Sequence, residues 1–146
     1  MSVLVDTNVL LRRTQPRHPA HAVAVESVAR LLASGEPVHF TPQNIAEFWN
    51  VITRPPSNNG LGFSVSVAVA EVVKIERVLV LLPDTPALYE EWKRLVEQHR
   101  VIGSKVHDAR LVASMLIHRV RRILTFNTAD FVRYRIDVLH PAMVAA

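Results

Sequence analysis

The sequence predicts an α/β fold, a parallel sheet covered on both faces by helices in three layers. Three observations carry this. Short apolar runs at residues 2–5, 38–40, 78–82, 122–125 and 137–139 alternate with longer segments of helical period. The runs are mostly apolar throughout instead of alternating with polar residues, as strands buried on both faces require. The chain has 146 residues, the length of one ordinary domain, and is 49% hydrophobic and 21% charged, which excludes a largely disordered polymer.

Residues 2–5 read as a buried strand feeding a turn at Asp6-Thr7-Asn8. Residues 8–13 make a short helix stopped by Gln15-Pro16. From 18 to 34, apolar residues recur at Ala22, Val25, Val28, Ala29 and Leu32, a helix closed by Gly35. A strand at 38–40 is followed by Thr41-Pro42, a helix cap with proline in the first helical position, and that helix runs to Thr53. Residues 57–62 read as flexible. Residues 63–82 fit either period; their length favours a helix to about Arg77 and a strand over 78–82. Residues 85–99 form an amphipathic helix, and 104–118 one that is apolar on nearly every side. Strands at 122–125 and 137–139 complete the chain, which is read as one domain over residues 1–146.

With no cysteine, the chain has no disulfide, thiolate metal site or cysteine nucleophile. No apolar run approaches the roughly 20 residues that cross a bilayer. The first residues lack a basic start and meet Asp6 at once, so no signal peptide is read and the cytoplasm is expected. Charge is uneven. Residues 1–99 hold nine basic and ten acidic side chains, whereas 100–146 hold eight basic and three acidic. A basic half fits a polyanionic partner as well as a solvated surface. Lys105, Arg110, Arg119, Arg121, Arg122 and Arg133 are the candidates for holding the phosphates of such a polyanion.

In parallel sheets the chemistry gathers beyond the carboxyl ends of the strands. Asp6 ends the first strand, Glu47 lies in the helix after the second, Asp108 begins the helix before the fourth, and Asp130 follows that strand. Each has an ordinary structural reading. Asp6 caps the helix after it, Glu47 sits on a solvated face with Gln43, Asn50 and Arg54, and Asp130 closes a capping box with Asn127. Asp108 shares a face with Val112 and Met115 and needs a partner. If the four converge, repulsion is severe: two carboxylates ~4 Å apart repel by about 4 kcal/mol at an effective dielectric near 20. Such a cluster needs a proton or a cation, and all-oxygen ligands select Mg²⁺ or Mn²⁺. Histidines at 18 and 21 have a spacing that fits a metal on a first helical turn, or simple solvation.

Taken in order, Val3-Leu4-Val5-Asp6-Thr7-Asn8-Val9-Leu10, Pro42-Gln43-Asn44-Ile45-Ala46-Glu47-Phe48, Ser104-Lys105-Val106-His107-Asp108-Ala109 and Ile123 through Phe131 resemble a PIN domain, most of all the VapC-type toxins of bacterial toxin–antitoxin pairs. The resemblance implies an α/β/α sandwich with a mostly parallel sheet and a metal-dependent endoribonuclease. Asp6, Glu47 and Asp108 match the three main acids of the family; where many relatives carry a fourth acid this chain has Asn127, with Asp130 beside it. The resemblance further implies a homodimer held inactive by a small antitoxin.

On this reading Asp6, Glu47, Asp108 and Asp130 hold Mg²⁺ or Mn²⁺ and activate water against an RNA phosphodiester, with Thr7, Asn8, Thr125 and Asn127 orienting the carboxylates. Nine aromatic residues leave few for stacking on bases, so RNA choice is expected to depend on shape and on loops such as 55–62. Two other readings stand beside it: a non-catalytic RNA- or protein-binding module, and a magnesium-dependent phosphatase of the haloacid-dehalogenase type, whose Asp-x-Asp motif is broken here by Asn8.

Overall fold

The computed structural model describes all 146 residues. Five strands, β1 (Val3–Val5), β2 (Val38–Phe40), β3 (Val80–Leu81), β4 (Arg122–Leu124) and β5 (Asp137–Leu139), form one sheet in the order β3-β2-β1-β4-β5. Every pair is parallel, with Val5 beside Leu124 and Leu4 beside both His39 and Ile123. The chain builds outward from β1 through β2 to β3, then crosses to β4 and β5. The strand order therefore switches direction between β1 and β4, and the crevice beyond their carboxyl ends is where such sheets bind ligands.

Side-chain alternation divides the core. Val3 and Val5 face one layer with α1 (Thr7–Arg12), α2 (His21–Ala33), α3 (Pro42–Thr53) and α4 (Val65–Val78). Leu4 and Ile123 face the other, against α5 (Leu88–Gln98) and α6 (Lys105–Ile117). Phe48 and Ile52 of α3 and Val112 and Met115 of α6 are fully buried, so each layer is anchored by one long helix. The expected three-layer α/β/α architecture is present, with a sheet that is parallel throughout. No helix is long and apolar enough to cross a membrane.

The departures from expectation are local and have physical causes. The second helix begins at His21, not residue 18, because Pro19 disfavours helical backbone in the residue before it. Residues 85–87 form a turn closed by Leu88 N donating to Thr85 O at 3.0 Å, and α5 starts only after it. The segment read as flexible is held by backbone bonds: Leu61 N donates to Val51 O at 3.1 Å and Phe63 N to Ile52 O at 2.8 Å. Gly60 is required there, since a Cβ would lie 1.9 Å from Arg54 O. A last helix, α7 (Pro141–Ala145), was not foreseen; His140 Nδ1 caps it by accepting from Ala142 N at 3.0 Å.

Candidate active site

The site is assembled at the switch point. Asp6 is the residue after β1 and the N-cap of α1; its Oδ1 accepts from Thr7 N at 2.8 Å. Its Oδ2 accepts from Thr125 Oγ1 at 2.8 Å and from Asn8 Nδ2 at 3.3 Å. Thr125 stands next to it because it follows β4, the neighbouring strand, and Asp6 N donates to Leu124 O at 2.9 Å. Asn8 completes the bracket, donating to Thr125 Oγ1 at 3.2 Å and accepting from Phe126 N at 3.2 Å. Asp6 is thus both a helix cap and the centre of a buried network, two roles that sequence alone leaves as alternatives.

Glu47 is not on a solvated face. It lies in the second turn of α3, where Oε1 accepts from Thr7 Oγ1 at 2.7 Å and Oε2 from Gln43 Nε2 at 3.2 Å. Thr7 is fixed from behind by Asn44 Nδ2 at 3.0 Å, and Asn44 is itself locked in a capping box with Thr41. Asn44 was missed by sequence reasoning; its signal was the third helical position after Thr41, where a polar side chain can return a bond to the cap. Gln43 was also missed, although it stands four residues before Glu47, one helical turn away.

Asp108 sits in the first turn of α6 and Asp130 in the 3₁₀ turn Thr128–Asp130. Asp130 does not close a capping box, because Asn127 makes no side-chain cap bond; it accepts from Lys105 Nζ at 2.6 Å instead. Asn127 is exposed, and its backbone N–H donates to Thr125 Oγ1 at 3.0 Å.

The four acids feel one another. Burial pushes the Asp6 carboxyl up to about 6, against the hydrogen bonds from Thr125 and Thr7 and with the help of charge on Glu47 and Asp130. Burial likewise pushes Asp108 up to about 7, reinforced by Asp6, Asp130 and Glu47 and offset in part by Lys105. Carboxyls held this high report a site short of positive charge. No group of three or more His, Asp or Glu side chains is drawn tightly enough to form a ready-made cation cage. The donor chemistry is all oxygen, and the charge imbalance is the one a divalent cation would relieve.

The basic candidates divide. Lys105 and Arg110 lie on the acid side, Arg110 donating to Gln43 Oε1 at 3.0 Å and pairing with Asp84 at 3.2 Å. Arg133 lies near enough to Lys105 to oppose its charge. Arg119, Arg121 and Arg122 do not join them: they enter β4 at its amino end, where the Arg122 guanidinium donates to Glu36 and to the carbonyls of Met1 and Ser2. Leu61 and Phe63, at the end of loop 55–62, border residues 14–19, the segment that follows α1. Of the six basic candidates, Arg122 is thus tied down at the amino end of the sheet, whereas Lys105 and Arg110 stand beside the acids. The histidine pair also fails: His18 lies outside α2 and accepts from Ala20 N at 3.0 Å, while a ring nitrogen of His21 faces Arg12 O at 2.9 Å.

Known structures share this frame. VapBC2 from Rickettsia felis, crystallised with a DNA fragment from its promoter, superposes with a TM-score of 0.69 at 14% identity, over 96% of this chain and 98% of that one. FitAcB from Neisseria gonorrhoeae gives 0.64 at 17% identity, over 96% and 98%. VapC20 from Mycobacterium tuberculosis, described as a toxin that cleaves the sarcin–ricin loop, gives 0.62 at 23% identity, over 91% and 98%. At such identities the likeness is one of fold. No curated protein matches the sequence. The sequence profile of the PIN domain matches residues 3–136, a span that takes in all four acids and every strand but β5, and on that match this chain belongs to the PIN-domain family.

Proposed function

We propose that the chain is a metal-dependent endoribonuclease that hydrolyses RNA phosphodiester bonds, acting as the toxin of a toxin–antitoxin pair. The observation that carries this is geometric: Thr7, next to Asp6, donates to Glu47 at 2.7 Å, and Gln43 donates both to Glu47 and to the carbonyl of His107 beside Asp108, so acids far apart in sequence share one crevice, where Asp108 feels the charge of the other three. Family membership and the toxin structures that share the fold support it.

Asp6, Glu47, Asp108 and Asp130 would hold the cation. When bound, Mg²⁺ or Mn²⁺ would compensate the carboxylate and phosphate charge and activate water for in-line attack. The chain's own part is preorganisation. Thr125 and Asn8 fix one face of Asp6, while Thr7 and Gln43 fix both oxygens of Glu47, so neither must reorganise when substrate arrives. Lys105, 45% exposed on its side chain, can exchange its partner Asp130 for a phosphate oxygen. A protein partner, whether a second copy or an antitoxin, is supported by large apolar side chains left in solvent on α4 and the edge strand, among them Val65, Val69, Val80 and Leu81. A cytoplasmic site of action goes with this reading.

RNA cleavage in Mg²⁺ or Mn²⁺ tests the proposal. Asp6→Asn, Asp108→Asn and EDTA should each abolish cutting by a folded protein; wild-type cutting that persists in EDTA would sink the metal mechanism. A second reading, a non-catalytic RNA- or protein-binding module, is favoured by Asn127 in place of an acid and by the absence of a three-residue cage. Binding of RNA without cutting, across titrations of both metals, would select it.

A further inference from the structure

Beside the acids lies a cavity of about 500 Å³, bounded by Asp84, Thr85, Tyr89, Trp92, His107 and Arg110 among others. It shares a wall with the site. Gln43 Nε2 donates both to Glu47 Oε2 at 3.2 Å and to His107 O at 2.8 Å, and Gln43 Oε1 accepts from Arg110 at 3.0 Å. His107 and Arg110 also flank Asp108 in sequence.

We infer that this cavity is a nucleobase subsite, and that it favours guanine next to the bond that is cut. The inference deepens the ribonuclease reading and rests on it.

Of the nine aromatic residues, Tyr89 alone is exposed, at 65%. On the same helix α5, Leu88 and Leu95 are buried while Tyr89 stays in solvent. Its ring lies 6.3 Å from that of Trp92 with the planes 34° apart, and Trp92 is fixed by donating from Nε1 to Val106 O at 2.9 Å. An exposed ring beside an anchored one is a stacking platform, which is how single-stranded RNA is commonly gripped. The polar edge is equally specific. Arg110 is held by Gln43 and Asp84 but keeps a second N–H on each terminal nitrogen, so it faces the ligand as a donor. Asp84, 41% exposed, uses only Oδ2 on Arg110, and its Oδ1 is left as an acceptor. Guanine offers acceptors at O6 and N7 and donors at N1 and N2, the complement of such a pair. Thr85 Oγ1, buried and without a partner in the chain, borders the same space. A base is favoured over a protein side chain because the shared Gln43 seats the cavity directly against the acids that would face the scissile phosphate.

Full-length D6N protein, which should bind RNA without cutting it, is titrated with three fluorescent hexamers: oligouridine, and the same strand carrying one guanine or one adenine. The guanine strand should bind about 10-fold more tightly than the others. Tyr89→Ala should weaken it about 5- to 100-fold, Tyr89→Trp should restore it, and Asp84→Asn should narrow the preference for guanine over adenine. Equal affinities for the three strands, or unchanged affinity in the folded Tyr89→Ala variant, would overturn the inference; in the latter case the cavity serves a protein side chain or nothing. Cleavage by the wild type, run in parallel, separates the two readings: cutting without base preference removes this inference alone, whereas neither binding nor cutting removes the ribonuclease as well.

Discussion

The two ends of the sheet treat carboxylates in opposite ways. At the amino end, the Arg122 guanidinium donates to Glu36 and the N-terminal ammonium lies 3.8 Å away, and together they hold the Glu36 carboxyl below its ordinary range. At the carboxyl end, Asp6 is buried and Asp108 half-buried among other acids, and they are pushed up to about 6 and about 7. Of the four acids only Asp130 has a directly bonded cation, Lys105, while Arg110 is paired with Asp84. A satisfied acid is part of the fold's stability, whereas an unsatisfied pair is tolerated for what it can bind. The contrast marks which end does chemistry, without reference to any relative.

The largest effect should come from removing an acid at the carboxyl end. Asp6→Asn or Asp108→Asn should reduce RNA cleavage by far more than the roughly 10- to 100-fold lost when a residue that only orients a ligand is changed. Glu36→Gln, at the other end, should leave cleavage intact while lowering the melting temperature at neutral pH. Equal losses of cleavage in both classes would erase the distinction between the ends. Thr125→Val falls between. It removes the 2.8 Å bond to Asp6, leaves Asn127 N without its acceptor and leaves Asn8 Nδ2 with Asp6 alone. Cleavage should drop about 10- to 100-fold, and stability by about 1–3 kcal/mol in denaturant titrations.

Much of this division was legible in sequence. Apolar strand runs and proline-capped helices placed Asp6, Glu47, Asp108 and Asp130 near one end, because strand direction is inherited by whatever follows the strand. What was not legible is which partner each side chain takes. Asp130 and Asn127 have capping-box spacing, yet Lys105, 25 positions away, wins the carboxylate because a charged donor outweighs a backbone one. Arg122 and Arg110 look alike in a basic half, but one enters a strand and the other leaves a helix start, so they end on opposite sides. The Tyr89 cavity was invisible for a similar reason: it needs α5 and α6 packed together, and an aromatic count cannot tell a buried ring from a free one.

The ends should also differ in the sign of their pH dependence. Glu36 titrates lower in the folded state than in the unfolded chain, so its stabilisation is present at neutral pH and lost as the pH falls through its folded value. Asp6 and Asp108 behave in reverse. Between about pH 4 and 7 the folded, metal-free protein holds protons that the unfolded chain has released, so stability falls as the pH rises through that window. For Asp6 the rise corresponds to about 3 kcal/mol against ionisation. Asp108→Asn is the cleaner probe because Asp108 accepts no hydrogen bond that the amide would disturb. It should raise metal-free stability at pH 8 by about 1 kcal/mol, a figure reduced for the screening of a half-exposed group, and change nothing at pH 4. Melting curves from pH 4 to 8 in EDTA check this; a destabilised D108N protein at pH 8 would mean that the acids do not repel.

The smallest expected effect concerns Asn127, the amide three residues before Asp130. Asn127 is exposed and carries no charge, while its neighbour Asp130 is neutralised by Lys105. Asn127→Asp adds a charge at the solvent edge, where two unit charges about 4 Å apart interact by only ~1 kcal/mol. Mn²⁺ should therefore bind about fivefold more tightly by calorimetry. The metal-free protein should become less stable by a similar amount at pH 8 and not at pH 4, since the new acid joins the group that repels. If metal affinity does not move while stability falls, the added carboxylate lies within the field of the other acids but out of reach of the cation, and the ligands are confined to the inner side of the crevice, around Asp6 and Asp108.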